Sequence, residues 1–222
     1  MNSERRWYNL IGEVNKRLRE PTFKVENIVA TVATHQKINL IKIIGRFPQA
    51  KYDPKRFPGL IYKLQEPKTA VLIFDTGKMV CTGGKSISQV HEAVEKVVIS
   101  LESKEILHES KFTMKVVNIV ASGELHGDID MERAAVELGS NVLYDEFSSD
   151  VYEDELGITI YEPSEFPALI YHIREPRAVF LLFANGKIVC VGAKKVEEVS
   201  EAVESLVGEL RGKDLIAYRE PE

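Results

Sequence analysis

FPGLIYKLQEPKTAVLIFDTGKMVCTGGK, residues 57–85, and FPALIYHIREPRAVFLLFANGKIVCVGAK, residues 166–194, are two copies of one segment at a constant offset of 109. The duplication reaches further upstream. VENIVAT at Val25 to Thr31 recurs as VVNIVAS at Val116 to Ser122 with an offset of 91, so the second copy carries 18 extra residues between these two stretches. The chain is therefore a tandem duplication of one supersecondary unit. The expected organisation is an N-terminal helical extension over residues 1–21, a first repeat over 22–108, and a second over 109–222 with an acidic insertion near 140–158.

Both faces of the repeated strands are apolar. Alternation puts Leu72 and Phe74 on one face and Val71 and Ile73 on the other, and after the Asp75-Thr76-Gly77-Lys78 turn it separates Val80 and Thr82 from Met79 and Cys81. The amphipathic helices that follow can cover one face only. The other face collects Asn27, Val29, Phe57, Leu72, Phe74, Val80 and Thr82, with Asn118, Val120, Phe166, Leu181, Phe183, Val189 and Val191 as the second copy. None of these residues is charged. Two copies joined edge to edge would present one apolar surface, and exposed patches of that kind mark binding sites.

Within the first repeat the pattern predicts a strand over 24–34, a helix near 38–46, strands near 50–53 and 57–65, a hairpin over 69–82 and a helix over 86–102, with Asn39 and Ser86 as helix caps. The inward stripe of the last helix is Val90, Val94, Val97, Val98 and Leu101, repeated as Val196, Val199, Val203, Leu206 and Val207. Upstream of the repeats, Trp7, Leu10, Ile11, Val14 and Leu18 fall at helical spacing after Ser3. The insertion holds Asp145, Glu146, Asp150, Glu153, Asp154 and Glu155 with no Lys or Arg among them, and reads as a solvated loop or a docking surface for a basic partner.

The net charge of −5 conceals an asymmetry: residues 22–108 hold 13 basic and 8 acidic side chains, whereas residues 109–222 hold 11 and 23. A single net charge is thus uninformative about partners. No run approaches the roughly 18 apolar residues of a membrane span, and MNSERRWYN lacks a signal-peptide core, so a cytoplasmic protein without a membrane partner is expected. Cys81 and Cys190 are repeat equivalents on the helix-covered face and read as buried reduced thiols. Catalysis finds no support. GGKS at Gly83 to Ser86 lacks the leading glycine of a phosphate-binding loop, since position 79 is Met, and the second copy reads GAKK. His35, His91, His108, His126 and His172 show no metal-ligand spacing, and neither a cofactor nor a metal is expected.

FPGLIYKL, EPKTAVLIFDTGKMVCTGGKS, YEPSEFPALIYHIREP and LLFANGKIVCVGAKK, in this order and twice over, closely resemble the TATA-box-binding proteins, in their archaeal form by the Pro after each leading Phe. The resemblance covers residues 24 to about 210. It implies an α+β fold: a tandem-repeat saddle, one curved antiparallel sheet with helices on the convex face and DNA under the concave one. It implies a general transcription initiation factor that binds and bends A·T-rich promoter DNA through the minor groove and recruits transcription factor B and RNA polymerase.

By this resemblance Phe57 with Phe74, and Phe166 with Phe183, are wedge pairs that unstack a base step, a mode of which this family is itself the type example. Asn27 and Asn118 hydrogen-bond base acceptors, and Arg56, Lys63, Lys78, Lys85, Lys187 and Lys194 meet phosphates at the rim. Glu162 and Glu165 fall where transcription factor B docks. The chain departs from the family pattern at Val191, where Thr is usual, at His172, usually basic, and at Ser164, usually acidic. The competing expectation is a saddle-fold paralogue that acts mainly as a protein-interaction module with weak DNA binding, motivated by the acidic second half.

Overall fold

The computed structural model describes residues 20–139 and 159–219, with four helices and twelve strands among them. The expected N-terminal helix and the acidic insertion lie outside the described residues. The chain divides into two compact units, Val25–Val120, and Ala121 onward together with the segment up to Lys24.

The Val25–Val120 unit contains most of β1 (Thr22–Ala33) and of β6 (Thr113–Glu124), with α1 (Leu40–Ile44), β2 (Ala50–Lys51), β3 (Leu60–Leu64), β4 (Thr69–Ile73), β5 (Lys78–Gly84) and α2 (Ile87–Ser103) between them. Its hydrogen-bonded strand order is β2-β3-β4-β5-β1-β6. Asn39 caps α1 by accepting the N–H groups of Ile41 and Lys42, and Ser86 caps α2 by accepting that of Gln89, as the sequence predicts. Val71, Ile73, Met79 and Cys81 are buried beneath the α2 stripe of Val90, Ala93, Val94, Val97, Val98 and Leu101. The alternate residues Leu72, Phe74, Val80 and Thr82 stay half-exposed.

In the other unit β6 continues into β7 (Gly127–Ile129), α3 (Met131–Gly139), β8 (Thr159–Ile160), β9 (Ala168–Ile173), β10 (Ala178–Phe183), β11 (Lys187–Ala193), α4 (Val196–Gly212) and β12 (Ile216–Tyr218), with strand order β6-β11-β10-β9-β8. The same two-faced pattern recurs. Phe180, Leu182, Ile188 and Cys190 are buried, while Leu181, Phe183, Val189 and Val191 are half-exposed. Val196 starts α4 and is only half-buried, so the inward stripe begins at Val199 and includes Ala202 and Leu210. The second copy also has an element that the sequence pattern does not announce. β7 and β12 form a separate antiparallel ribbon, pairing Ile129 with Ile216 and Gly127 with Tyr218.

Both cysteines are free thiols under the helices, and burial pushes each up to about 11, which keeps them protonated and unreactive at neutral pH. No described helix is long and apolar enough to cross a membrane.

Candidate nucleic-acid interface

Phe57 and Phe166 do not lie in strands, contrary to the expectation of a strand from residue 57. Each ends a turn instead: the Phe57 N–H donates to Asp53 O at 3.0 Å, and the Phe166 N–H donates to Glu162 O at 2.9 Å. Pro58 and Pro167 follow directly, and a residue without an N–H cannot extend the ladder. β3 and β9 therefore start later, at Leu60 and Ala168, which leaves both rings free to lean over the sheet.

In the Val25–Val120 unit the Phe57 ring meets Phe74 edge to face, with centroids 5.8 Å apart and planes at 66°. In the other unit Phe166 meets Phe183 in the same way, at 6.4 Å and 69°. Phe57 is 37% and Phe166 43% exposed, although large aromatic side chains are normally driven inside. Gly59 makes room for the first pair. A Cβ built there would lie 2.6 Å from Phe57 Cε1 and 2.9 Å from Phe74 Cε1. The second copy has Ala168 at this position, and its ring pair is the wider of the two.

Asn27 is fixed by a β-bulge. The β1–β5 register shifts between Ile28, opposite Gly84, and Ala30, opposite Cys81, which inserts an extra residue in β5. Gly83 adopts φ +103° there, and its N–H donates to Asn27 Oδ1 at 2.7 Å. Because a backbone N–H can only donate, this bond orients the amide. Asn27 Nδ2 is left as the donor, with Thr82 Oγ1 at 3.1 Å. Gly192 repeats the positive φ at +107°, but Val191 brings no hydroxyl to match Thr82.

Val29, Leu72, Val80, Asn118 and Val120 in the Val25–Val120 unit, and Leu181 and Val189 in the other, are all half-exposed. Ile61 and Ile170 pair with Leu72 and Leu181 across the ladder and are half-exposed too. They extend the apolar face and were missed by the sequence reading, although alternation in LIYKL and LIYHI carries the signal. Arg56, Lys63, Lys78, Lys85, Lys187 and Lys194 are exposed. Lys85 is not an independent cation, since its Nζ lies 2.9 Å from Glu26 Oε2. Lys63 and His172 occupy equivalent register positions, opposite Ala70 and Val179. Glu162 and Glu165 are exposed beside the Phe166 turn. No grouping of metal-ligating side chains occurs among the described residues.

A family model described as transcription factor TFIID, or TATA-binding protein, matches residues 22–103 and 113–212, one match per repeat. The TATA-box-binding proteins of Pyrobaculum islandicum and Pyrodictium occultum are 40% and 41% identical to the chain over 191 and 192 residues, which cover 86% of this chain and 87% of each relative. Among solved structures, the TBP of Methanococcus jannaschii superposes with a TM-score of 0.71 at 29% identity, covering 86% of this chain and 98% of that one. The tandem-repeat α+β fold read from the sequence is thus the fold of that structure.

The Gly59 contact yields an expected outcome. Gly59→Ala drives the new methyl against ring edges rather than backbone, so the rings move and the fold holds. Ring-to-ring nuclear Overhauser effects between Phe57 and Phe74 should weaken while the melting temperature stays within a few degrees. Unchanged ring contacts would show that Gly59 does not set the spacing.

Proposed function

The chain belongs to the TATA-binding protein family, and from that membership we propose that it binds and bends A·T-rich promoter DNA through the minor groove. The family consists of DNA-binding transcription factors rather than enzymes, so the role is that of a general transcription factor of the archaeal type. The observation that carries the reading is the pair of exposed edge-to-face phenylalanine couples, one per unit, each beside half-exposed uncharged strand residues, Leu72 and Val80 in one and Leu181 and Val189 in the other.

Each couple is a wedge for a base step. Unstacking a step costs a few kcal/mol, which is offset by the protein surface that bent DNA can then cover. TA steps deform most readily, so sequence preference arises partly from deformation energy at bases the protein never hydrogen-bonds. The groove floor supplies the rest. A·T pairs present only acceptors there, whereas G·C pairs add the guanine amino donor. The amide nitrogen of Asn27, held as a donor beside Thr82, matches the acceptors, and the apolar residues Val29, Leu72, Val80, Val120, Leu181 and Val189 leave the amino group without a partner. Arg56, Lys63, Lys78, Lys187 and Lys194 meet phosphates at the rim, and Lys85 joins them on leaving Glu26. Glu162 and Glu165 beside the second wedge are the docking point for transcription factor B, through which RNA polymerase is recruited.

Gel shifts test the reading. A TATA duplex should bind at least tenfold more tightly than one with two central A·T pairs changed to G·C, since each mismatched pair costs about 1–3 kcal/mol. Replacing those pairs by inosine·cytosine, which lacks the amino group, should restore most of the loss. Equal binding to all three duplexes would instead favour the protein-interaction paralogue, to which the acidic second half also points.

The Thr82/Val191 difference gives a second expectation. A hydroxyl at position 191 recreates on the second half the group that Thr82 presents beside Asn27. Val191→Thr should strengthen binding to the TATA duplex by about 0.5–1.5 kcal/mol, the usual net worth of a hydrogen bond. Equal or weaker binding in the same titration would count against polar readout at this position.

A further inference from the structure

The two wedge hairpins are held by the same backbone bonds. In the first, Gly77 N–H donates to Phe74 O, Thr34 N–H to Gly77 O and Ile38 N–H to Asp75 O, at 3.0, 3.1 and 2.8 Å. In the second, Gly186 N–H donates to Phe183 O, Leu125 N–H to Gly186 O and Ile129 N–H to Ala184 O, at 2.9, 2.9 and 2.8 Å. Both turn glycines have positive φ and no room for a Cβ, which would lie 1.9 Å from Gln36 O at Gly77 and 2.0 Å from Gly127 O at Gly186.

The side-chain bonds are not equivalent. The first turn is held by the Thr34 hydroxyl, 3.2 Å from Gly77 O, and the adjoining strand is tied to residues 108–109 by Gln36, which accepts from His108 N and donates to Glu109 O. At the equivalent positions the second copy has Leu125 and Gly127, which can do neither. It has Arg219 instead. The Arg219 guanidinium donates to Asn185 O at the apex of the Phe183 turn. It also lies 3.3 Å from Asp128 Oδ1 and 3.7 Å from Glu124 Oε1, and the Arg219 N–H donates to His126 O at 3.2 Å. One side chain just past β12 thus joins the C-terminal ribbon, the end of β6 and the wedge turn.

We infer that Arg219 is the positioning residue of the second wedge: it locks the C-terminal strand onto the hairpin that presents Phe183 and neutralises the carboxylates beside it. Glu124 lines the same cleft as Phe183 and Lys187, where a phosphate would meet repulsion from an unpaired carboxylate. The first wedge has its own hydroxyl clamp and does not depend on this contact. The inference rests on the DNA-binding reading for its consequence, but its structural half does not.

Two measurements on the full chain separate these halves. In the DNA-free protein, Arg219→Ala should speed hydrogen exchange at the Gly186 amide about tenfold, the effect of losing a charge-assisted hydrogen bond, and leave the Gly77 amide unchanged. Binding to a TATA duplex is then compared in three backgrounds. R219A should weaken the otherwise unaltered protein and the Phe57→Ala variant by a similar factor, about threefold to tenfold, yet add little to Phe183→Ala, because a wedge already removed cannot be mispositioned. Arg219→Lys, which keeps the charge but loses the fork, should fall between, and it carries the same comparisons if R219A does not fold. Unchanged exchange at Gly186, or an equal loss of affinity in the Phe183→Ala background, would overturn the assignment. Absence of TATA binding by the unaltered chain would refute the functional reading while the exchange data still decide the clamp.

Discussion

Each repeat makes a sheet that is apolar on both faces and carries long helices for only one of them. Val71, Ile73, Met79 and Cys81 are sealed under α2, and Phe180, Leu182, Ile188 and Cys190 occupy the equivalent buried positions, so the residues alternating with them keep their contact with solvent. Burying one Leu or Phe side chain is worth about 1.5–3 kcal/mol. Leaving Leu72, Phe74, Leu181 and Phe183 partly exposed therefore forgoes stability that a third layer would supply. A ligand that buries these faces recovers it, which makes the exposed face a reservoir of binding free energy.

In the proposed DNA-binding role that reservoir becomes selective through a few local devices. The bulge at Gly83 turns Asn27 into a donor of fixed orientation, and the proline after each wedge phenylalanine ends the ladder early enough for the ring to stand clear. The positive-φ glycine and the proline recur in the second copy as Gly192 and Pro167, while the positions around them differ. Gly59 becomes Ala168, Thr82 becomes Val191, Thr34 becomes Leu125, and Lys63 becomes His172. Every one of these changes falls on the apolar face, its rim or the clamp beneath it. The helix-covered positions Val71, Ile73, Met79 and Cys81 stay apolar as Phe180, Leu182, Ile188 and Cys190. The buried packing is thus kept between the copies, while positions on the exposed face and around it differ.

Much of this was legible in the residues. The offset of 109 revealed the repeat, period-two alternation assigned both faces, and Asn39 and Ser86 marked helix starts that the structure keeps. The strand boundary at Phe57 was misjudged because an apolar run was extended through Pro58, where the missing donor outweighs hydrophobic pattern. Gly83 and Gly192 recur at the repeat offset, which was a readable sign of the bulge. The β7–β12 ribbon and the Arg219 contacts had no such sign, because they join segments 34 to about 90 residues apart and have no counterpart of the same kind in the first copy. Long-range pairing by a three-residue strand carries too little local pattern to announce itself.

The central claim is that four phenylalanines, two on the uncovered sheet face of each unit, hold DNA in a bent state. The most direct test is energy transfer between dyes at the two ends of a short TATA duplex, titrated with the unaltered chain and with Phe57→Ala, Phe74→Ala, Phe166→Ala and Phe183→Ala in turn. The account predicts a rise in transfer on binding that each substitution diminishes at saturating protein, with circular dichroism of the free variants unchanged because these rings lie outside the core. Full transfer in all four variants would mean that the rings are not wedges.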